Sequence, residues 1–319
     1  MSSVARVPNC GTVLNRSLVA GLLLTLGSSG CQRKNSDSKP SPAPPTVASP
    51  PTAAGPGPSA GGRLDAPLHL PAQLPAGQKA PLLILLHGLG SSGEAIESAS
   101  DWPAFAAQHG VAWIAPNGSV DRHGRRFWNA GPSCCNFDGA TVDHVAALAE
   151  LIQRLVADAP LDGSRVFLGG HSNGGFMAHR FACERPDLVR GIVSIAGAGP
   201  LERAACKVPA ALRVLQIQGD ADPIVTYQGG HLFKDPSLPE HASARKSVAD
   251  WAAALGCAQT PIVGGSLDLE SSLPGAETRT ESYAGCKSGS VELWTVGGGT
   301  HYIGFNSPAP ELIWNFLNH

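Results

Sequence analysis

The chain has no large excess of charge of either sign: 23 lysines and arginines stand against 25 acidic residues, a formal net charge of -2. That near balance gives no electrostatic ground for nucleic acid or an anionic membrane as a partner. No apolar run in the body of the chain reaches the roughly 20 residues of a spanning helix, which excludes an internal transmembrane segment. Internal repeats are absent, the cysteine spacings match no zinc pattern, and no motif asks for a metal or organic cofactor. What the chain does have is apolar material. Of its 319 residues 43% are hydrophobic and 15% charged, enough for a globular core and too apolar for wholesale disorder.

The N-terminus stands apart. Arg6 and Arg16 precede "SLVAGLLLTLGSSGC", a short apolar run that ends in small residues and Cys31. Residues 1–31 therefore read as an export signal, too short and wrongly flanked for an ordinary spanning helix. A cysteine directly after Ser28, Ser29 and Gly30 resembles a lipoprotein processing site, with Cys31 as the lipidated residue and the sole membrane contact. Leucine is usual where Ser28 stands, and plain secretion is the alternative. Residues 32–62 are dominated by proline and small polar residues, with little to bury, and read as an extended disordered linker. Folded sequence is expected from 63 to 319, a comfortable length for one α/β domain.

Of the eight cysteines, Cys10 and Cys31 lie in the export segment. The other six are Cys134, Cys135, Cys183, Cys206, Cys257 and Cys286, and an even number in an exported chain favours disulfides. Six cysteines allow about 15 pairings, which sequence does not resolve. Cys257 with Cys286 is the first choice, closing a loop at a gain of roughly 3–4 kcal/mol.

Continuous apolar runs over residues 81–88, 111–118, 165–170, 191–197, 212–219 and 291–296 read as strands, most of them buried on both faces. Helices are expected over 95–109, 141–159, 174–184, 243–255 and 310–318. The stretch 141–159 has apolar residues at Val142, Val145, Leu148, Leu151, Ile152 and Leu155, one face of a helix. Alternating strands and helices imply an α/β class with a mostly parallel central sheet covered on both faces. Functional groups in such folds gather on loops at the carboxyl ends of the strands.

One such loop reads "LGGHSNGGF". Gly170, Ser172 and Gly174 form G-x-S-x-G between a strand and a helix, the context of a nucleophile elbow. A serine hydroxyl needs a base to take its proton, and in this motif's fold the partners follow in the order Ser, acid, His. "LRVLQIQGDADPIVTY" offers Asp222 as the acid, with Asp220 the weaker candidate. The base comes from His231, His241, His301 or His319. Only His301 stands in a tight glycine loop, "GGGTH", between a strand and the terminal helix. The expected triad is Ser172, Asp222 and His301, the imidazole accepting the serine proton and the carboxylate fixing its tautomer. Two backbone N–H groups would hold the oxyanion: that of Asn173, after the nucleophile, and that of Leu89 in "HGLGSSG".

From about residue 81 onward the chain resembles the secreted polyhydroxybutyrate depolymerase and feruloyl esterase group of α/β-hydrolases, the LpqC-like esterases. The matching pieces are "LLHGLGSSGE", "RRFWNAGPSCC", "RVFLGGHSNGGFMAHRFACE", "GDADPIVTYQGG", "VADWAAALGC", "YAGCKSGSVELWTVGGGTH" and "IWNFLNH", in family order. The resemblance implies an α/β-hydrolase fold, an ester substrate, catalysis by Ser172, Asp222 and His301, and no cofactor. It places Trp128 and Asn129 of "FWNAG" near the substrate cleft, with a core position as the alternative for Trp128. Two departures stand out: Gln218 where the family commonly has His, and Thr300 where Gly usually precedes the catalytic histidine. The expected function is exported carboxylic-ester hydrolysis, on a polyhydroxyalkanoate or a feruloylated polysaccharide. A serine peptidase of the same fold and a non-catalytic exported binding protein are the alternatives. Oligomeric state is not legible from the sequence.

Overall fold

The computed structural model describes residues 63–99, 101–202, 206 and 211–319. The expected export signal, Cys31 and the linker at 32–62 lie outside the described residues. Twelve strands and six α-helices occur among those described, in the order β1 (Ala80–Leu86), α1 (Gly93–Ala99), α2 (Trp102–His109), β2 (Ala112–Ile114), β3 (Ser119–Val120), β4 (Arg126–Phe127), α3 (His144–Asp158), β5 (Leu161–His171), α4 (Asn173–Glu184), β6 (Gly191–Ile195), β7 (Arg213–Gly219), β8 (Gly230–His231), β9 (Glu240–His241), α5 (Ala244–Ala254), β10 (Ile262–Leu267), β11 (Thr278–Ser282), β12 (Ser290–Val296) and α6 (Ala309–Asn318).

Eight strands form the main sheet, ordered β10-β11-β12-β7-β6-β5-β1-β2, while β3–β4 and β8–β9 are small separate hairpins. The pairs from β12 through β7, β6, β5 and β1 to β2 are parallel; β10–β11 and β11–β12 are antiparallel. Successive strand residues face opposite sides, and the core divides accordingly. Leu82, Ile84 and Leu86 pack with α3, α4 and α5, whereas Leu83 and Leu85 pack with α2 and α6. Both faces are covered, so the parallel strands are apolar without alternation.

Strands β10 and β11 were not expected from the sequence, β5 begins at Leu161 rather than 165, and two helices differ at their boundaries. The helix expected over 95–109 is two helices, α1 and α2, with Asp101 and a proline at the start of the second. Helix α3 starts at His144 rather than near residue 141, because the Asp143 carboxylate caps it by accepting the Ala146 N–H. Three disulfides are present among the described residues: Cys134–Cys135, Cys183–Cys206 and Cys257–Cys286. The last is the pairing chosen from sequence. No helix among the described residues is long and apolar enough to cross a membrane.

Candidate active site

Ser172 sits at the carboxyl end of β5, where the chain reverses into α4. Its backbone has φ 53° and ψ −119°, a conformation that L-residues seldom adopt and that costs of order 1–3 kcal/mol. Two backbone hydrogen bonds hold the turn: Ser172 N–H to the Ile195 carbonyl at 2.8 Å, and Phe176 N–H to the Ser172 carbonyl at 3.0 Å. The flanking glycines are required by crowding. A Cβ on Gly170 would collide with the Gly174 carbonyl, and one on Gly174 with the Leu86 carbonyl. Strand β5, helix α4 and strand β1 therefore meet without side chains between them, as an elbow needs.

Asp222 follows β7 and His301 follows β12, so with β5 all three segments end at the same edge of the parallel sheet. The His301 Nδ1–H donates to Asp222 Oδ2 at 2.8 Å, and both side chains are buried, 5% and 0% exposed. Asp222 Oδ1 accepts the backbone N–H groups of Ile224 and Val225 at 2.8 and 3.0 Å. Gln218 Nε2 donates to Oδ2 at 2.9 Å. Asp220 is engaged elsewhere, accepting the Gly298 N–H at 2.7 Å and so tying down the loop that precedes His301.

The His301 loop is also fastened to the elbow. His171, the residue before Ser172, directs Nε2 at the His301 carbonyl at 2.9 Å, and the two imidazole rings lie 5.0 Å apart. Burial lowers the His171 pKa to about 4, so this ring is neutral and the Nε2–H donates to the carbonyl. No hydrogen bond joins the Ser172 hydroxyl to His301 in this structure; such contacts tighten on substrate binding in many hydrolytic sites. The Asn173 N–H opens α4, and neither it nor the Leu89 N–H has an acceptor among the described residues. His231 and His241 are committed to backbone carbonyls, those of Leu238 and Ala242.

The Asn173 side chain is engaged as well. Its wholly buried side chain accepts the Trp128 N–H at 2.6 Å and donates to the Trp128 carbonyl at 2.9 Å. For Trp128 the core alternative fits: it has no exposed surface, and its indole N–H donates to the His87 carbonyl at 3.1 Å. It is a strut between the elbow and the loop after β1 rather than a wall of the cleft. Its size explains why the sequence left both readings open, since a large aromatic beside a polar "NAG" reads equally as contact surface or core. Asn129, by contrast, lines a cavity of about 690 Å³ together with Asn136, Phe137, Arg180 and Leu238. A second, apolar cavity of about 320 Å³ is bounded by Leu83, Leu85, Trp102 and Phe305 and reaches Gly88 and His171. Sequence reasoning missed both cavities. Among the described residues, no three His, Cys, Asp or Glu side chains gather as a metal site would need.

Two buried histidines brace the surrounding loops as neutral rings. His87 donates through Nδ1 to the Gly88 carbonyl at 2.8 Å and accepts the Gly118 N–H on Nε2 at 3.0 Å. His144 accepts the Asn129 N–H on Nδ1 at 2.8 Å and meets the Ser119 hydroxyl with Nε2 at 3.0 Å. Burial depresses both pKa values to about 4. Between pH 6.5 and 4 the unfolded chain therefore binds protons that the folded chain refuses, so stability falls as pH drops through that window. Each such ring, His171 included, should remove about 2 kcal/mol between pH 8 and pH 5. Urea midpoints measured across that range check this; a flat profile would contradict it.

A mostly parallel sheet of this order, with a strained Ser at the end of β5, defines the α/β-hydrolase fold. The chain belongs to the Phospholipase/Carboxylesterase family, whose model matches residues 71–238. Feruloyl esterase B of Piromyces equi is 27% identical over 258 residues, which cover 77% of this chain and 43% of that protein. Poly(3-hydroxybutyrate) depolymerase of Ralstonia pickettii is 32% identical over 153 residues, covering 44% of this chain and 30% of that one. The chain thus spans less than half the length of either relative. The solved acetyl xylan esterase from Aspergillus awamori superposes with a TM-score of 0.55 at 13% identity, over 80% of this chain and 93% of that one, a likeness of fold.

Proposed function

We propose that the protein hydrolyses carboxylic esters through an acyl-enzyme on Ser172. One observation carries the reading. A serine held in a strained turn shares one sheet edge with a buried carboxylate–imidazole pair joined at 2.8 Å. His301 Nε2 takes the Ser172 proton as Oγ attacks the ester carbonyl. Asp222 holds the Nδ1–H tautomer and steadies the imidazolium that forms. The N–H groups of Asn173 and Leu89 receive the oxyanion. His301 then returns the proton to the leaving alkoxide, and water clears the acyl group by the same steps.

Neither cavity is lined by Ser172 or His301, and the apolar one comes nearer to them, through Gly88 and His171. The apolar one, beside Gly88 and His171, takes an aryl or short acyl group, and its size fits a small ligand pocket. The feruloyl esterase and polyhydroxybutyrate depolymerase relatives support a polymeric or cell-wall-derived ester. Three disulfides support export to an oxidising compartment, and lipid attachment at Cys31 remains our reading of the sequence.

The test is hydrolysis of p-nitrophenyl esters of rising acyl length, with methyl ferulate, acetylated xylan and polyhydroxybutyrate alongside. Aryl or short-acyl esters should be cut fastest. A fluorophosphonate should label Ser172, located by peptide mass. Labelling at another residue, or inertness towards every ester, would overturn the proposal; a preference for long-chain lipids would overturn the cavity assignment.

A further inference from the structure

Strand β7 reads "RVLQIQG", and its two glutamines are wholly buried, 0% and 1% exposed, in an otherwise apolar strand. A buried amide without partners costs about 1–3 kcal/mol per group, and here each amide is engaged at both ends. Trp251 on α5 donates its indole N–H to His179 Nδ1 at 3.0 Å. That nitrogen therefore carries the lone pair, and His179 Nε2–H donates to Gln216 Oε1 at 3.0 Å. Gln216 Nε2 donates to Gln218 Oε1 at 3.1 Å and to the Gly197 carbonyl at 3.0 Å. Gln218 Nε2 in turn donates to Asp222 Oδ2 and to the Val225 carbonyl, both at 2.9 Å.

The two ends decide the direction of the whole series. An indole N–H can only donate and a carboxylate can only accept, so the His179 tautomer and both amide orientations are determined between them. We infer that Gln218, Gln216, His179 and Trp251 form a one-way hydrogen-bond chain that positions Asp222 and tempers its hold on the His301 imidazolium. This rests on the catalytic reading above. Its parts come from three elements, and His179 lies on α4, the helix whose first turn follows Ser172. The chain thus fastens the nucleophile's helix to the acid's strand. Such aligned bonds polarise one another in a buried setting.

Other titratable and charged groups surround the pair. His171 and Tyr302 touch the His301 ring. His241 faces Asp222 from β9, and Asp220, His231 and Lys234 share the adjacent cavity. Among the described residues, only Gln218 and His301 donate to Asp222 Oδ2. Gln218 is therefore the group whose removal changes that oxygen most directly.

The experiment compares Gln218→Met, which keeps the length and loses the donor, with Gln218→His, which restores a ring N–H. With one donor fewer, the carboxylate holds the imidazolium more tightly. Gln218→Met should raise the acidic limb of the kcat/KM profile by about 0.5–1 pH unit, with kcat down about 10–100-fold and KM nearly unchanged. Gln218→His should return the limb close to its original position. In the unaltered protein, ¹⁵N NMR should find His179 as the neutral Nε2–H tautomer from pH 5 to pH 9. An unshifted limb in a folded Gln218→Met protein would overturn the inference, as would an Nδ1–H or titrating His179. If Gln218→Met does not fold, the NMR measurement decides. Fluorophosphonate labelling of Ser172 keeps the two readings apart, since its failure removes the catalytic proposal while the NMR result still judges the chain.

Discussion

Ser172→Ala should lower kcat/KM towards a p-nitrophenyl ester by about 10⁴–10⁶-fold, leaving only what the oxyanion donors and binding supply. The reasoning is chemical rather than structural. The hydroxyl makes no hydrogen bond among the described residues, while the backbone bonds of the elbow belong to its N–H and carbonyl. Alanine meets the same unfavourable φ of 53° that serine does, so the turn gains no new strain. The melting temperature should stay within a few degrees and substrate should still bind. A steady-state assay beside a thermal melt separates lost chemistry from lost fold. Undiminished turnover would mean that the nucleophile lies elsewhere.

Asp222→Asn should lower kcat by about 10⁴-fold with little change in KM, because the substitution inverts the hydrogen-bond demands around the carboxylate. The native Asp222 accepts four donors, two on each oxygen: Ile224 and Val225 N–H on one, Gln218 and His301 on the other. An asparagine that keeps its oxygen towards the backbone pair turns its NH₂ against two N–H donors. The imidazole must then give up its Nδ1 proton and carry it on Nε2, facing the serine it was meant to deprotonate. A loss smaller than tenfold would exclude Asp222 as the acid. Asp220 is a poor substitute, since its carboxylate is spent on the Gly298 N–H.

The parts of the site that could be read from sequence are those imposed by local physics. Gly170 and Gly174 were visible because close backbone contact admits nothing larger. The buried parallel strands announced themselves as unbroken apolar runs. Asp222 and His301 followed from strand order, each sitting just past a strand that ends at the same edge. Strands β10 and β11 were missed because their residues carry no core-facing alternation. Strand β10 is exposed along nearly its whole length and contains Gly264 and Gly265, while β11 reads "TRTES". Their pairing is fixed by β12 alongside, a non-local cause that no window can register. The relay behind Asp222 had one signal, glutamines at 216 and 218 inside a buried strand, which demand partners. Those partners, His179 and Trp251, lie 37 and 35 residues from Gln216 in opposite directions along the chain. Trp128 stood open between cleft and core because its residue type suits either environment, and only its burial and the bidentate grip of Asn173 on its peptide groups show which one holds.

The proposed nucleophile, acid and base leave β5, β7 and β12 in that order, and the sheet runs between them through β6. During synthesis, a chain that has emerged as far as α5 already owns its elbow and its carboxylate but has no imidazole to set against them. On the proposed mechanism, an incomplete or clipped polypeptide lacking the loop after β12 should be silent towards esters, however well its first half packs. Under the proposed mechanism, reactivity therefore waits on the seating of β12 against β7, which carries the imidazole to the carboxylate.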